Sequence, residues 1–151
     1  MPVKIRLTRH GKKHNAYYHI VVADGRAPRD GKFIEVIGNY DPNTNPATIE
    51  LNNEKALDWL QKGAQPTDTM RAILSYKGVL YKKHLGEGVT KGALTQEAAD
   101  EKYQQWLEGK QNKIEEKKNR VKGESVKETE ARLVEETKKK EAKADSIRVK
   151  N

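Results

Sequence analysis

Three features of the sequence predict an α+β fold: a small, mostly antiparallel sheet of about four strands packed with two helices. The first fifty residues hold period-two alternation and runs of β-branched and aromatic residues, broken by Gly, Pro, Asp and Asn. The connection between the first two runs is too short for a parallel crossover, so they pair antiparallel. From Asn52 onward the apolar spacing turns helical and start signals appear.

The first strand begins at Val3. Val3, Ile5 and Leu7 point to one face and Lys4, Arg6 and Thr8 to the other, because side chains alternate along a strand. The apolar row must be buried, which places the basic row on the outer face of a rigid sheet. A loop from His10 to Asn15 follows. Tyr17 to Ala23 is a near-continuous apolar run and reads as a central strand. Asp24 to Gly31 is a turn region. Phe33 to Ile37 is a third strand, ended by Gly38 and the turn Asp41-Pro42-Asn43, and Thr48 to Leu51 is a short fourth.

Asn52 or Asn53 caps a helix with Ala56, Leu57 and Leu60 on its inner face, and Gly63 ends it. Pro66, Thr67 and Asp68 start a second helix, which presents Met70, Ile73 and Leu74 and stops at Gly78. Val79 to Leu85 fits either an edge strand or an irregular return across the core. Gly86, Gly88 and Gly92 then read as a flexible joint. The expected division is a folded domain over 1–85 and a charged, largely helical or partly disordered extension over 86–151. In the extension Thr95 caps a third helix with the stripe Ala99, Tyr103, Trp106 and Leu107. That stripe is a packing face rather than a cofactor box, on the chain's own core or on a partner. Beyond Gly109 the apolar residues are sparse (Ile114, Val121, Val126, Leu133, Val134, Ile147, Val149) among alternating Lys and Glu.

The chain has 151 residues, 34% of them charged and 34% hydrophobic, with a formal net charge of +8. Residues 1–40 carry eight Lys or Arg against three acids, whereas residues 86–151 carry sixteen against fourteen. One sign dominates only in the head, and positive charge fixed on a sheet suits a polyanion better than a small substrate. The absence of cysteine rules out a disulfide frame or a cysteine zinc site. No apolar run has the length of a membrane span, and the N-terminus lacks the apolar core of a signal peptide. A soluble cytoplasmic protein is expected, with no cofactor, membrane partner or small-molecule substrate.

The candidate RNA-contacting residues are Lys4, Arg6, Arg9, His10, Lys12, Lys13, His14, Tyr17, Arg26, Arg29 and Lys32. In a simple meander the loop at 10–16 and the loop at 25–32 lie at opposite ends of the sheet, so that each meets a separate stretch of phosphate backbone. Of the pair Tyr17-Tyr18, one ring must face outward, where it can stack on a base or ribose. Arg9-His10-Gly11 also matches the short signature of histidine phosphatases, in which a strand-end His takes up a phosphoryl group. That reading requires a doubly buried parallel strand followed by a crossover helix, and neither is expected here. His10 and His14 are spaced as His-x3-His, but Lys12 and Lys13 beside them repel a cation. Asp24, Asp30, Glu35 and Asp41 show no spacing that singles out a Mg²⁺ nuclease. A phosphoryl-transfer or nuclease enzyme, or a free RNA chaperone, are the alternatives in other classes.

The N-terminal residues resemble the bacterial small-subunit ribosomal protein S16 family. Val3-Lys4-Ile5-Arg6-Leu7-Thr8-Arg9-His10-Gly11-Lys12 fits that family's signature at every place. The next segment also looks like the family, with Tyr18 through Val22-Ala23-Asp24, Arg26, Arg29-Asp30-Gly31, Phe33-Ile34-Glu35 and Gly38. Asp41-Pro42, Trp59, Gly63-Ala64 and Pro66-Thr67 fall where the family has its helical half. The resemblance covers about residues 1–85 and implies an α+β ribosomal protein that binds 16S rRNA. It further implies neighbouring small-subunit proteins as partners and contacts from Arg6, Arg9, Lys12, Lys13, Arg26, Arg29 and Lys32. Many family members stop near residue 85, and the resemblance says nothing firm about the extension.

Overall fold

The computed structural model describes residues 2–148, with side chains to Glu141; Val149 lies outside that range. It is an α+β fold with the element order β1 (Val3–Lys12), β2 (Asn15–Asp24), β3 (Glu35–Asp41), β4 (Thr48–Leu51), α1 (Asn53–Gln61), β5 (Gln65–Pro66), α2 (Asp68–Tyr76), α3 (Val79–Thr90) and α4 (Gln96–Arg148). The sheet order is β4-β3-β2-β1-β5, antiparallel throughout except for the short parallel pairing of β5 with β1. Two compact units are present, Met1–Gln111 and Asn112–Asn151.

The first unit holds the core. Ile5 of β1, Ile20 and Val22 of β2 and Ile37 of β3 face Ala56 and Leu60 of α1 and Met70, Ile73 and Leu74 of α2. Val3 and Leu7 pack against this cluster, so the expected apolar row of β1 is the core row. Each fully buried aliphatic side chain of this kind contributes roughly 1.5–3 kcal/mol. Asn52 caps α1 as its type suggests, its Oδ1 accepting the Lys55 N–H at 3.1 Å. Glu35 at the start of β3 ties sheet to helix, accepting from Lys55 Nζ and from Trp59 Nε1, the latter at 2.9 Å.

Several expected boundaries shift. β1 and β2 run on to a two-residue turn, Lys13-His14, so the expected loop from His10 to Asn15 is mostly ladder. His14 sits at φ 64° and Gly11 at φ 88°, a conformation that favours glycine. β3 starts at Glu35 and continues through Gly38 to Asp41. β5 was not anticipated: two residues with a proline carry no strand signal, and they are held by pairing with Lys4 and Ile5.

The larger correction concerns residues 79–92. Val79 to Leu85 is neither an edge strand nor an irregular return but the first part of α3, which passes through Gly86 and Gly88. The two glycines and the run Tyr81-Lys82-Lys83-His84 hide its helical periodicity, and packing of Val79 and Leu85 overrides that weak propensity. Thr95 then starts α4, its Oγ1 accepting the Ala98 N–H at 3.4 Å. The stripe Ala99, Tyr103, Trp106 packs on the chain's own core. Ala99 is 3% exposed, and the Trp106 ring lies 6.0 Å from Tyr81 and 6.4 Å from Tyr103. Gly78, at φ 80°, sits directly under Trp106, where any Cβ would strike the indole.

Candidate nucleic-acid interface

The strand register divides the candidate residues between faces. Lys4, Arg6, Thr8, His10 and Lys12 share the outer face of β1, opposite Ala23, Val21, His19, Tyr17 and Asn15 of β2. Arg9 falls on the other face, in the row of Leu7, and pairs with Tyr18. It is nevertheless exposed, as is every residue from Arg9 to Asn15. The far end of the β1–β2 hairpin is therefore a solvent-facing arm with cationic side chains on both faces.

The outer face nearer the start of β1 is not open. The segment between β2 and β3 folds across it, and Arg6 is what it folds onto. Arg6 Nη1 donates to Ala27 O and Nη2 to Pro28 O, each at 2.7 Å. Arg6 Nε and Thr8 Oγ1 are buried beneath this segment without a hydrogen-bond partner among the described residues. Thr8, Val21 and Ala23, although on the outer face, are buried as a result. The guanidinium of Arg6 thus holds the chain's own loop.

The same segment reaches the hairpin. Asp30 Oδ1 accepts the Arg9 backbone N–H at 3.0 Å, and Arg29 Nη2 donates to Asp30 Oδ2 at 2.6 Å. The Arg29 guanidinium, and then the Arg9 N–H, hold the Asp30 carboxyl below the usual carboxylate range; Asp30 in turn raises Arg29. The strands β1 to β4 do form a meander, but the two basic loops are not confined to opposite ends of it, because Asp30 of the second reaches Arg9. Arg26 lies beside the start of β1, where the Gly25 N–H donates to Pro2 O, and Arg29 lies beside Arg9. Lys4, Arg26, Arg29, Arg9, Lys12, Lys13 and His14 follow the length of β1, roughly 30 Å at ~3.3 Å per residue. Lys32 is exposed on the returning half of the loop.

Of the tyrosine pair, Tyr17 faces outward. Tyr18 lies on the helix-facing side, 6.0 Å from Tyr40. Tyr17 belongs to a cluster with His10 and His19, the rings of His10 and His19 lying 4.4 Å apart and those of Tyr17 and His19 5.5 Å apart at 88°. His10 is thus packed edge-on in an antiparallel hairpin and not poised at the end of a buried parallel strand, which is where a phosphatase needs its histidine. His19 and Asn39 complete this surface, joined by a 2.7 Å hydrogen bond between Nδ1 and Oδ1. Neither was singled out from the sequence, although the strand register alone places both beside Tyr17.

The family model for ribosomal protein S16 matches residues 9–67. A Porphyromonas gingivalis protein named small ribosomal subunit protein bS16 is 55% identical over 147 residues, which are 97% of this chain and 77% of that protein. The chain belongs to the ribosomal protein S16 family. A bS16 protein of Cytophaga hutchinsonii is 51% identical over 150 residues, 99% of this chain and 86% of its own length. One from Flavobacterium johnsoniae is 63% identical over 119 residues, 79% of this chain, and this chain spans 63% of that protein's length. The likeness to these relatives runs well past residue 85. As a member of the ribosomal protein S16 family the chain is a structural protein and not an enzyme. Among the described residues, no helix is long and apolar enough to cross a membrane.

Proposed function

We propose that the chain is a structural constituent of the small ribosomal subunit that binds 16S rRNA and ties segments of it together. The relatives' printed name, small ribosomal subunit protein bS16, supports the location. The β1–β2 arm supports the chemistry. From Arg9 to Asn15 every residue is exposed, yet the ladder from Arg9↔Tyr18 to Lys12↔Asn15 fixes the backbone on either side of the Lys13-His14 turn. Arg9 on one face and His10 and Lys12 on the other can meet phosphates on two sides of one arm, and Lys13 and His14 at its tip extend that reach. Arg26, Arg29 and Lys32 continue the positive stripe, and Tyr17 offers a ring at its margin. Lys4 lies at the far end of the stripe, half-buried. Arg6 contributes indirectly, by holding the 25–34 segment against β1. The bridge therefore comes from the two faces of the arm rather than from opposite ends of the sheet.

Neutralising phosphates releases counterions, and that release supplies much of the affinity. A preordered arm binds without the ordering cost a mobile basic tail would incur. Neighbouring small-subunit proteins are the expected protein partners. Sedimentation of a cell lysate tests the placement: the chain should co-migrate with the small subunit at physiological salt. A chain that remains at the top of the gradient contradicts this reading and favours a free RNA chaperone.

A further inference from the structure

The outer face of the sheet carries a cavity that the basic stripe does not use. Its volume is about 190 Å³, and it is lined by Tyr17, Asn39, Asp41, Thr48 and Glu50. The register brings these residues together across three strands: Asn39 pairs with His19 on one side and Glu50 on the other, and Asp41 pairs with Thr48. Pockets that hold drug-sized ligands measure about 300–1,000 Å³, so this smaller space suits something of the size of one planar base.

Its polar groups are arranged in a definite order. The Oδ1 of Asn39 bonds His19 Nδ1, so with the proton on that nitrogen the Asn39 amide is fixed with Nδ2 turned toward Glu50, 3.4 Å from Oε2. Asp41 is already occupied, its Oδ1 accepting from Asn43 N at 2.9 Å and Asn43 Nδ2 at 2.8 Å. Among the described residues, the exposed carboxylate of Glu50 makes no shorter hydrogen bond than the one to Asn39. An N–H donor thus stands beside a carboxylate with acceptor capacity to spare. The Tyr17 ring forms a wall, held perpendicular to His19.

Resting on the rRNA-binding reading, we infer that this cavity takes an unpaired guanine of the bound RNA. The Watson–Crick edge of guanine presents two adjacent donors, N1–H and N2–H₂, next to the acceptor O6. The Glu50 carboxylate accepts both donors, Asn39 Nδ2 donates to O6, and Tyr17 stacks on the ring. Adenine and cytosine each offer the carboxylate one amino group, and uracil one imino N–H. A carboxylate on an RNA-facing surface repels phosphate, so a base edge is the part of RNA it suits. His10, cross-strand from Tyr17, and Lys12 next to it lie where the flanking phosphates would run.

Titration of the isotope-labelled full chain with uridine heptamers, each carrying one central guanosine, adenosine or cytidine, tests the assignment by NMR. The guanosine heptamer should bind about tenfold more tightly than the other two, as expected for one bidentate base contact. It should also shift the Asn39 side-chain amide and the Tyr17 ring. Glu50→Gln should erase the preference for guanosine, leaving the thermal midpoint unchanged. Equal affinities, a preference for adenosine or cytidine, or no heptamer binding by a chain that still binds rRNA would each overturn the guanine site while leaving rRNA binding intact. Loss of salt-dependent binding to rRNA itself would instead refute the reading on which the site rests.

Discussion

Residues up to Gln111 and the helical stretch from Asn112 onward are both dense in charge, but their charges are held in different ways. In the first unit, cations sit on strands whose other face is buried among Ile5, Ile20, Val22 and Leu74. In the second, the apolar positions are few: Val126, Leu133 and Val134 are 46%, 62% and 53% exposed. Helix there rests on backbone bonds and on solvated i,i+4 pairs such as Glu135–Lys139 at 2.6 Å and Arg120–Glu124 at 3.9 Å. Exposed pairs of this kind contribute about 0.3–0.5 kcal/mol each. The contrast shows that charge becomes a specific surface only where a core fixes the backbone beneath it.

Core truncation should separate the two regions most sharply. Leu74→Ala removes a fully buried side chain and should destabilise the first unit by about 2–5 kcal/mol, read from the denaturant midpoint. Arg6→Ala should follow, because it cuts two hydrogen bonds from a charged donor to Ala27 and Pro28 and uncovers Thr8 and Val21. The expected loss is about 2–3 kcal/mol, together with faster amide exchange in residues 25–34. Gly78→Ala forces a left-handed residue against Trp106 and should cost about 1–3 kcal/mol. Leu133→Ala, by contrast, should stay within about 0.5 kcal/mol. A large loss at Leu133 would break the comparison, because it would imply a core in the extension.

Acidification distinguishes them further. Lys55, and then Trp59, hold the Glu35 carboxyl below its ordinary range. A carboxylate depressed in the folded state adds stability above the unfolded-state value and loses it as pH falls through the folded value. The first unit should therefore weaken on moving from neutral pH to below the ordinary carboxylate range, and Glu35→Gln should weaken less steeply over the same interval. Parallel curves for the two proteins would remove Glu35 from the account.

Much of this was legible in the sequence because it follows from local rules. The alternation of Val3, Ile5 and Leu7, the apolar run of β2 and the cap at Asn52 each name their own structure. The path of residues 25–34 was not legible. It depends on one guanidinium choosing two carbonyls over solvent and on Asp30 reaching the Arg9 N–H, which are contacts made across more than twenty residues of sequence. The basic residues were recognised, but not how they divide between the two faces of the hairpin: Arg9 pairs with Tyr18, on the side opposite Lys4 and Arg6. Helix α3 escaped because glycines at 86 and 88 resemble a joint until the packing of Val79 and Leu85 is seen.

The most direct test is the salt dependence of binding to 16S rRNA by the chain and by its Arg9→Ala/Lys13→Ala variant. Both substituted residues are exposed, so the fold should persist, with an unchanged thermal midpoint. If the arm neutralises phosphates, the slope of log affinity against log salt should fall by about 1.4–1.8, or 0.7–0.9 for each lost contact. A variant that binds with the original slope would show that the arm does not meet the phosphate backbone.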